Sequence, residues 1–333
     1  MTAVIILNWN GAKLLREYLP SVVANTDPAV ATVIVADNGS TDDSLKVLAE
    51  EFPTVQVWAF PENYGFAGGY NRCLERAQAE GYPYTVLLNS DVETPAGWLE
   101  PMLHYIDSHA DVGAVQPKIL SHRQRDTFEY AGASGGFIDR HGYPYCRGRI
   151  FDVCEVDRGQ YDAVIDIFWA TGAALLVRTG LYVQLGGLDQ DFFAHMEEID
   201  LCWRIQLAGW RIAVVPQSVV YHLGGGSLPA SNPRKTYLNF RNNLLLLHKN
   251  LPDSTRRRTL LVRRLLDTVA WAKFAITFDW ANAAAVFRAH RHFARMRKAY
   301  TTHPDRDLLH TQPRRPNILT AFYLRRKRTF NRL

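Results

Sequence analysis

The chain has 333 residues, of which 47% are hydrophobic, 12% aromatic and 21% charged. This composition excludes an intrinsically disordered chain, and the length is sufficient for a substantial core and two units. The net charge of +5 is unevenly distributed, because residues 251–333 contain 19 Lys and Arg against 5 Asp and Glu. An acidic body therefore carries a strongly basic C-terminal segment, which needs an anionic partner: a membrane surface, a nucleic acid or the body itself.

The N-terminal sequence and the cysteines indicate a cytosolic protein. MTAVIILNWNG has no basic n-region and reaches a polar residue at Asn8, so it is neither a signal peptide nor a membrane span. The four cysteines show no CxxC spacing. We therefore expect free thiols in a reducing compartment and no zinc site.

Short apolar strands alternate with helical patterns at the beginning of the chain. The predicted strands are VIIL (4–7), TVIVAD (32–37), VQVWAF (55–60) and TVLLN (85–89). This alternation predicts an α/β fold with a mostly parallel sheet flanked by helices, in which ligands bind beyond the carboxyl ends of the strands. Polar residues follow each of these strands: Asn8 and Asn10, Asp37 and Asn38, Glu62 and Asn63, Asn89 and Asp91.

The pattern becomes less regular further along the chain. A helix is predicted from Pro95 to about His109, and a strand follows in GAVQPKIL. Residues 121–163 lack clear periodicity, so we expect long loops over the site. A strand, a helix and a strand are predicted in FWATGAALLVR (168–178), AHMEEIDLCWRIQLAGWR (194–211) and RIAVVP (211–216). A loop is expected at 222–233 and basic helices from Lys235 onward.

Three features have both a structural and a functional interpretation. ENYGFAGGYN (62–71) is a glycine-rich turn without the GxGxxG or GxxxxGK[ST] spacing, so it is a plain turn or a phosphate cradle. Asp91 follows a buried strand, where a carboxylate holds Mg²⁺ or Mn²⁺ or caps a turn. His222 precedes a glycine run and is a structural histidine or a metal ligand.

Three carboxylates, Glu197, Glu198 and Asp200, stand at the beginning of the helix predicted in 194–211. They could complement the positive end of the helix dipole, or one of them could act in catalysis. Asp200 can also pair with Arg204 one helical turn later. Crowding of like charges would raise the pKa of a carboxyl toward the range that suits a general base.

Seven segments, taken in order, resemble the bacterial glycosyltransferase family 2 proteins, in particular the rhamnosyltransferase-like branch that builds cell-surface polysaccharides. They are VIILNWNG, VADNGSTDDS, ENYGFAGGYN, LLNSDVETPAGWL, ATGAALLVR, GGLDQDFFAHMEEIDLCWRIQLAGWR and VYHLGGGS. The resemblance covers roughly residues 3–250. It implies a GT-A fold, a nucleotide-sugar donor, a divalent metal and inversion at the anomeric carbon.

The resemblance also implies roles for individual residues. Glu198 takes the position of the catalytic base, and whether Glu197 shares that role stays open. Asp91 and His222 take metal-binding positions. The residues implied to contact the nucleotide-sugar are Asn8, Trp9, Asn10, Asp37, Gly65, Asn71 and Asn89. The sequence departs from the family pattern at two site positions. Asn89 replaces the first acid of the DxD motif, and Glu198, at the position of the catalytic base, replaces an aspartate.

We expect a GT-A catalytic domain over residues 1–233, with a nucleotide-sugar half (1–115) and an acceptor half (116–233). Residues 234–333 are expected to form a basic amphipathic helical extension. Within 256–298, Arg and Lys clusters alternate with aromatic stretches, and no run of about 18 uncharged apolar residues exists. This pattern favours helices in the interface of an anionic bilayer. The alternatives are packing on the acidic body or a homo-oligomer contact, whereas nucleic-acid binding lacks a recognition motif.

The predicted function is metal-dependent, inverting transfer of a sugar, for which rhamnose is one candidate. The donor is expected to be a dTDP- or UDP-sugar and the acceptor a glycan or lipid-linked glycan, at the inner face of the plasma membrane. A sugar nucleotidyltransferase is an alternative enzyme, although NWNGAKLL is a poor match to its basic glycine-rich loop. A non-catalytic membrane adaptor is a further alternative, which does not explain polar residues at four successive strand ends.

Overall fold

The computed structural model describes residues 1–224, 232–311 and 316–333. Most of the loop predicted at 222–233 lies outside the described residues. The strands are β1 (Thr2–Asn8), β2 (Ala31–Asn38), β3 (Gln56–Phe60), β4 (Tyr84–Leu88), β5 (Val92–Glu93), β6 (Val112–Ser121), β7 (Gly136–Ile138), β8 (Pro144–Cys146), β9 (Arg149–Ile150), β10 (Val153–Cys154), β11 (Ile165–Asp166), β12 (Ala174–Arg178) and β13 (Arg211–His222).

The α-helices lie between and after these strands. They are α1 (Ala12–Ala24), α2 (Ser44–Glu51), α3 (Gly65–Ala79), α4 (Glu100–Ser108), α5 (Thr179–Gln184), α6 (Glu197–Leu207), α7 (Pro233–Asn250), α8 (Asp253–Ile276) and α9 (Trp280–Met296). Helix α6 ends just before Gly209, whose φ of 93° is the left-handed conformation predicted for that position.

The central sheet has nine strands in the order β11-β13-β6-β12-β4-β1-β2-β3, with β5 paired to β13. Strands β1–β4 are mutually parallel, and β13 is parallel to β6. Strand β12 is antiparallel to both of its neighbours, β4 and β6. The predicted α/β fold with a mostly parallel sheet is therefore confirmed. Strand β12 is antiparallel between the two parallel blocks, and the two-residue strands β5 and β11 are antiparallel to β13.

Hydrophobic residues cover both faces of this sheet, because successive side chains along a strand point to opposite faces. In β1, Ala3 and Ile5 belong to one buried cluster, whereas Val4 and Ile6 belong to the other. All four side chains are at most 2% exposed. A sheet buried on both faces leaves the carboxyl ends of its strands as the place for polar chemistry.

The strand directions bring β4 and β13 to the same edge of the sheet. Strand β12 runs antiparallel to both β4 and β6, so β4 and β6 run the same way, and β13 is parallel to β6. The carboxyl end of β13 at His222 therefore lies at the same edge as the carboxyl ends of β1, β2 and β4. Strand β5 pairs Val92 with His222 and fixes this contact.

The prediction of long loops over residues 121–163 is wrong. This segment contains strands β7–β10, which form a second, four-stranded sheet in the order β10-β9-β8-β7. The strands have only two or three residues each, and so short a strand shows no detectable alternation of polar and apolar residues. The prediction of a strand from residue 168 was also too long, because β12 begins at Ala174.

The C-terminal segment is helical, as predicted, with regular α-helices up to Met296 and a short helical turn up to residue 299. Beyond it, Thr320–Leu324 and Phe330–Arg332 form single turns. The chain end returns to the second sheet, where the amide of Phe330 donates to Glu155 Oε1 at 2.9 Å. Within residues 1–224, 232–311 and 316–333, no helix combines the length and apolar character that crossing a membrane requires.

Helix α7, which precedes the aromatic and basic stretch of residues 256–298, packs on the body of the protein. Its residues Leu244–Leu247 are fully buried and belong to the same cluster as the central sheet. Helices α8 and α9 differ, because large hydrophobic side chains on both remain exposed.

Candidate functional site

The end of β1 is joined to the end of β2 by a buried polar pair. Asn8 Nδ2 donates to Asp37 Oδ1 at 3.0 Å, and the amide of Ser40 donates to Asp37 Oδ2 at 3.0 Å. Asn8 Oδ1 is buried without a hydrogen-bond partner among the described residues. A Cβ on Gly11 would lie 2.3 Å from this oxygen, so position 11 must be glycine. These residues form a rigid polar floor at the carboxyl edge.

The turn after β1 is tied to the turn after β2. Asn10, at a φ of 50°, accepts hydrogen bonds on Oδ1 from the amides of Thr41 and Asp42 at 2.7 and 3.3 Å. Its own amide donates to Ser40 Oγ at 2.9 Å. Trp9 is 57% exposed beside this turn. An exposed indole next to a rigid polar floor is suited to stacking on a flat ring such as a nucleobase.

The glycine-rich turn before α3 is held by the side chain of Asn38. Asn38 Nδ2 donates to Asn63 Oδ1 and to the carbonyl of Gly65 at 3.0 and 3.1 Å, and the amide of Tyr64 donates to Asn38 Oδ1 at 3.1 Å. Gly65 has a φ of 71°, which β-carbon-bearing residues rarely adopt. A Cβ built on it meets nothing within 4 Å. The turn is thus fixed in shape and open in front of Gly65.

Asn71 lies further along α3 and uses its side chain inside the protein. Its Oδ1 accepts from Tyr182 Oη at 2.7 Å and from the amide of Leu188 at 2.8 Å, and its Nδ2 donates to the carbonyl of Leu188 at 2.8 Å. The structure therefore does not bring this side chain together with Asn8, Asp37 and Gly65. Asn71 positions the Gly186–Leu188 turn, and its implied contact with the nucleotide stays untested.

Asp91 and His222 meet at the carboxyl edge although they are 131 residues apart in sequence. His222 Nε2 lies 3.1 Å from Asp91 Oδ1. On the other side of the imidazole, Nδ1 lies 3.3 Å from Glu129 Oε2, an ion pair without the alignment of a hydrogen bond. All three side chains are at most 15% exposed. Asn89, two residues before Asp91, is fixed through its backbone N–H, which donates to the carbonyl of Ala173 at 3.0 Å.

These contacts determine the charges of the three groups. Burial opposes protonation of His222, but the hydrogen bond to Asp91 and the charges of Asp91 and Glu129 outweigh it and raise its pKa to about 10. Burial likewise opposes ionisation of Asp91, but the hydrogen bond and charge of His222 outweigh it and lower the Asp91 pKa. The carboxylate of Asp91 is therefore ionised at neutral pH.

Asp91 and His222 lie close enough together to be two ligands of one divalent cation, which would have to displace the proton between His222 Nε2 and Asp91. Two ligands of one ion at about 2.1 Å each lie about 3 Å apart, which matches the 3.1 Å between His222 Nε2 and Asp91 Oδ1. Glu129 contacts the opposite nitrogen, so it cannot share an ion with Asp91. In the described part of the chain, no group of three His, Cys, Asp or Glu side chains is arranged for a metal. A cation here would need further oxygen ligands from a bound diphosphate or water.

Glu198 stands at the beginning of α6, opposite the segment that precedes β12 and the beginning of α3. A Cβ built on Gly172 would lie 3.8 Å from Glu198 Cβ and 3.4 Å from Phe66 Cζ, so Gly172 leaves room between them. Glu198 Oε2 is buried and has no hydrogen-bond partner in the part of the chain that the structure describes. A buried carboxylate oxygen without a donor is costly and marks a place for a ligand hydroxyl.

The three carboxylates of α6 have different environments. Burial raises the pKa of Glu198 to about 7. Burial and then the charge of Glu198 raise the pKa of Glu197 well above its ordinary value. Asp200 is fully buried and satisfied, since it accepts from Arg204 and Lys249 at 2.8 Å and from Asn250 at 2.7 Å. The predicted pairing of Asp200 with Arg204 is confirmed. The main cause of the raised pKa of Glu198 is burial, rather than the predicted crowding of like charges.

The turn that leads into α6 is held in an unusual backbone conformation by α7. Phe193, His195 and Met196 all have φ between 65° and 75°, where residues with a Cβ are strained. Asn242 Nδ2 lies 2.7–2.9 Å from the carbonyl oxygens of Phe192, Ala194 and His195. The guanidinium of Arg241 donates to the carbonyls of Asp191 and Phe192 at 2.9 and 2.7 Å. Helix α7 thus fixes the turn that places Glu198.

Asn242→Ala is expected to lower kcat by about 10–100-fold while the affinity for the nucleotide-sugar changes little. The reason is that the turn that places Glu198 loses the Asn242 side chain, whose Nδ2 contacts three of its carbonyl oxygens. Steady-state kinetics and donor binding by calorimetry would measure the two effects separately. Asn239→Ala on the same helix is the matched control, with kcat close to that of the wild type. A loss of donor affinity as large as the loss of kcat would contradict this positioning role.

Glu129 and Asn242 were not identified from the sequence. Glu129 lies in the segment predicted as loops, and its contact with His222 depends on the second sheet. Asn242 is part of NFRNNLLLLHKN, where buried polar residues interrupt an apolar helix. A buried polar residue on an apolar helix face must find a partner, and this is the only sequence signal that could have drawn attention to it.

The sequence is similar to known glycosyltransferases. Residues 3–152 match the family described as Glycosyl transferase family 2. An N-acetylglucosaminyl-diphospho-decaprenol L-rhamnosyltransferase of Mycobacterium tuberculosis is 28% identical over 234 residues, which cover 66% of this chain and 75% of that protein. Rhamnosyltransferase WbbL of Escherichia coli is 43% identical over 61 residues, which cover 18% of this chain and 22% of that protein.

Solved structures share the fold at low sequence identity. GalNAc-T7 with UDP, GalNAc and Mn²⁺ has a TM-score of 0.58 at 15% identity over 76% of this chain, which spans only 48% of that protein. TarS 1–349 of S. aureus has a TM-score of 0.54 at 17% identity over 86% of this chain and 80% of that one. The mannosyltransferase PcManGT of Pyrobaculum calidifontis, with GDP-Man and Mn²⁺, has a TM-score of 0.51 at 18% identity, over 90% of this chain and 84% of that one. These similarities establish the GT-A fold.

Proposed function

We propose that this chain, whose residues 3–152 match the Glycosyl transferase family 2 model, is an inverting, metal-dependent glycosyltransferase. Its proposed donor is a deoxyhexose nucleotide, with rhamnose as the preferred sugar. The acceptor is a hydroxyl of a lipid-linked glycan. The relative from Mycobacterium tuberculosis is named as a rhamnosyltransferase of a diphospho-decaprenol-linked sugar, which supports this choice of donor and acceptor.

The observation that carries the proposal is the buried carboxylate of Glu198 beside Gly172, which adjoins the residue that Asn89 contacts at the carboxyl edge of the sheet. Its buried Oε2 has no donor among the described residues, and its raised pKa of about 7 makes it a base that can accept a proton near neutral pH. An inverting transfer needs one such carboxylate on the face of the sugar opposite the leaving diphosphate. Asp200 is excluded from this role because its oxygens are occupied by Arg204, Lys249 and Asn250.

The other end of the site supports donor binding. Asn8, Asn10, Asp37 and Gly65 provide fixed polar groups beside the exposed ring of Trp9, and we propose that these residues bind the nucleoside. Asp91 and His222, with Asn89 beside them, would hold Mn²⁺ or Mg²⁺. Such an ion supplies positive charge that stabilises the departing diphosphate. The imidazole in this ligand pair favours Mn²⁺ over Mg²⁺.

A donor screen tests the proposal. Release of product nucleotide is measured with dTDP-rhamnose, UDP-sugars and GDP-sugars, each with a lipid-linked acceptor, and dTDP-rhamnose is expected to give the highest kcat/KM. Release of inorganic diphosphate from a nucleoside triphosphate and a sugar phosphate would instead identify a sugar nucleotidyltransferase. Failure of all three donor classes would contradict the proposed activity.

Turnover is expected to depend on pH through Glu198. A general base acts when it is deprotonated, and burial raises the pKa of Glu198 to about 7. The kcat is therefore expected to be constant above pH 7 and to fall about tenfold per pH unit below it. A profile of kcat from pH 5.5 to 9 at saturating donor would measure this decline below pH 7. A profile that stays flat down to pH 5.5 would exclude Glu198 as the base that titrates.

We also propose that α8 and α9 contact the surface of an anionic membrane. Phe278, in the turn between the two helices, and Trp280, the first residue of α9, are 79% and 61% exposed. In the described part of the chain, no ion pair joins an Arg or Lys of residues 251–333 to a carboxylate of residues 1–250. The basic segment therefore keeps its charge available for an external anion, and its aromatic turn is suited to the membrane interface.

The double substitution Phe278→Ser/Trp280→Ser is expected to weaken binding to vesicles of phosphatidylcholine and phosphatidylglycerol by about tenfold, because two exposed aromatic side chains are lost. Co-sedimentation of the full-length protein measures this change. Leu45→Ser, at an exposed position of α2, serves as the control and should bind as the wild type does. Unchanged binding of the double variant would exclude the α8–α9 turn as the contact.

A further inference from the structure

A cavity of about 580 Å³ lies among the C-terminal helices and is lined mainly by arginines. Arg256, Arg257 and Arg264 come from α8, and Arg297 follows α9. His248 of α7 and Leu261 of α8 also line it. We call this the arginine cavity. It is separate from the carboxyl edge of the sheet and has no part in the mechanism described above.

The positive charge of the arginine cavity is largely uncompensated. Arg256 pairs with Asp253, whose side chain is 78% exposed. Among the residues that the structure describes, no carboxylate lies at ion-pair distance from Arg257, Arg264 or Arg297. Like charges that are gathered around one cavity repel each other, so this arrangement is stabilised when an anion enters.

Two residues that line the cavity each have a buried nitrogen atom without a hydrogen-bond partner in the described structure. One is a terminal guanidinium nitrogen of Arg256, and the other is Nδ1 of His248, a side chain that is only 8% exposed. The second nitrogen of His248 lies 3.1 Å from the carbonyl oxygen of Arg297, which fixes the ring. Because Nε2 carries the proton that faces this carbonyl, Nδ1 of the ring is an acceptor, so the Arg256 nitrogen is the buried donor that an anion would satisfy.

An exposed apolar stripe begins at the rim of the arginine cavity. Leu261, Leu265, Val269 and Ile276 lie along one face of α8 and are between 61% and 77% exposed. With a rise of about 1.5 Å per residue, this stripe is about 22 Å long. A ligand that fits both features has an anionic head and a long apolar chain.

We propose that the arginine cavity binds the phosphate group of an anionic membrane phospholipid, whose acyl chains lie along the Leu261–Ile276 stripe. The proposal rests on the membrane contact of the proposed function and names its lipid class. Guanidinium groups match phosphate oxygens in charge and in the geometry of paired hydrogen bonds. Binding of this kind would orient the catalytic body on the bilayer rather than merely attract it.

The test compares two variants that lose the same charge. Arg257→Gln/Arg264→Gln removes two arginines of the cavity, whereas Arg258→Gln/Arg288→Gln removes two exposed arginines that do not line it. Affinity of the full-length proteins is measured for vesicles of phosphatidylcholine with phosphatidic acid. The cavity variant is expected to lose about tenfold more affinity than the control variant, because it loses direct contacts as well as charge. Equal losses would overturn the proposal and leave only general attraction to the surface.

Two further measurements distinguish a lipid from a free anion. Leu265→Ser is expected to weaken vesicle binding while titration with inorganic phosphate alone is unchanged. Inorganic phosphate that binds as tightly as the lipid would overturn the proposal in favour of a site for soluble phosphate. Transfer to a soluble acceptor should be unchanged in Arg257→Gln/Arg264→Gln, so a failed vesicle result and a failed transferase assay are separate outcomes.

Discussion

Glu198→Gln is expected to lower kcat by about 10²–10⁴-fold while the dissociation constant of the donor stays nearly constant. The amide keeps the shape of the side chain but cannot accept the proton of the attacking hydroxyl. Glu198 Oε2 is buried and has no hydrogen-bond donor among the described residues, and the same holds for Glu197 Oε2, so the two carboxylates have to be tested separately. Single-turnover kinetics with a saturating acceptor measure the chemical step directly.

The same substitution is expected not to lower the melting temperature. The pKa of Glu198 is raised in the folded protein to about 7, so ionisation as the pH rises from the unfolded value through 7 opposes folding. Glutamine removes this cost at pH 8. A large fall in the melting temperature of Glu198→Gln would mean that lost activity reflects unfolding and would contradict this account.

Glu197→Gln is the matched control, because Glu197 is the neighbouring buried carboxylate, with a pKa raised by burial and by Glu198. We expect its kcat to remain within about tenfold of the wild type. If Glu197→Gln abolished turnover and Glu198→Gln did not, the catalytic position would be displaced by one residue.

Asp91→Asn is expected to remove metal-dependent turnover, with a loss in kcat/KM of about 10³-fold. The amide is a weaker metal ligand than a carboxylate, and it also leaves the buried His222 with only Glu129 as an acidic neighbour. The measurement is kcat/KM against added Mn²⁺ and Mg²⁺ after treatment with EDTA. His222→Ala should weaken metal affinity by about 10–100-fold, with activity restored at high metal concentration.

Asp111→Asn is the control for the loss of a carboxylate at a distant surface site, where Asp111 pairs with Arg211 and is 59% exposed. Its metal dependence should match that of the wild type. Full activity of the wild-type protein in EDTA would contradict a metal-dependent mechanism, and the role of Asp91 would then be limited to holding His222.

The sequence by itself determined the features that depend on neighbouring residues. The alternation of apolar runs and helical patterns predicted the parallel sheet, and the parallel strands placed the ends of β1, β2 and β4 at one edge. Local spacing also identified the pair of Asp200 and Arg204, because residues four apart meet on a helix. The order of the motifs supplied the hypotheses for Glu198 and Asp91.

Only the tertiary structure decided which distant residues meet and which surfaces remain exposed. His222 reaches Asp91 through the pairing of β13 with β5, Glu129 depends on the second sheet, and Asn242 reaches the turn before Glu198 from α7. Helices α7 and α8 are both rich in leucine and in basic residues, yet the leucines of α7 are buried while Leu261 and Leu265 of α8 are exposed. Periodicity shows that a helix has an apolar face, but the partner of that face is set by long-range packing, which no local pattern encodes.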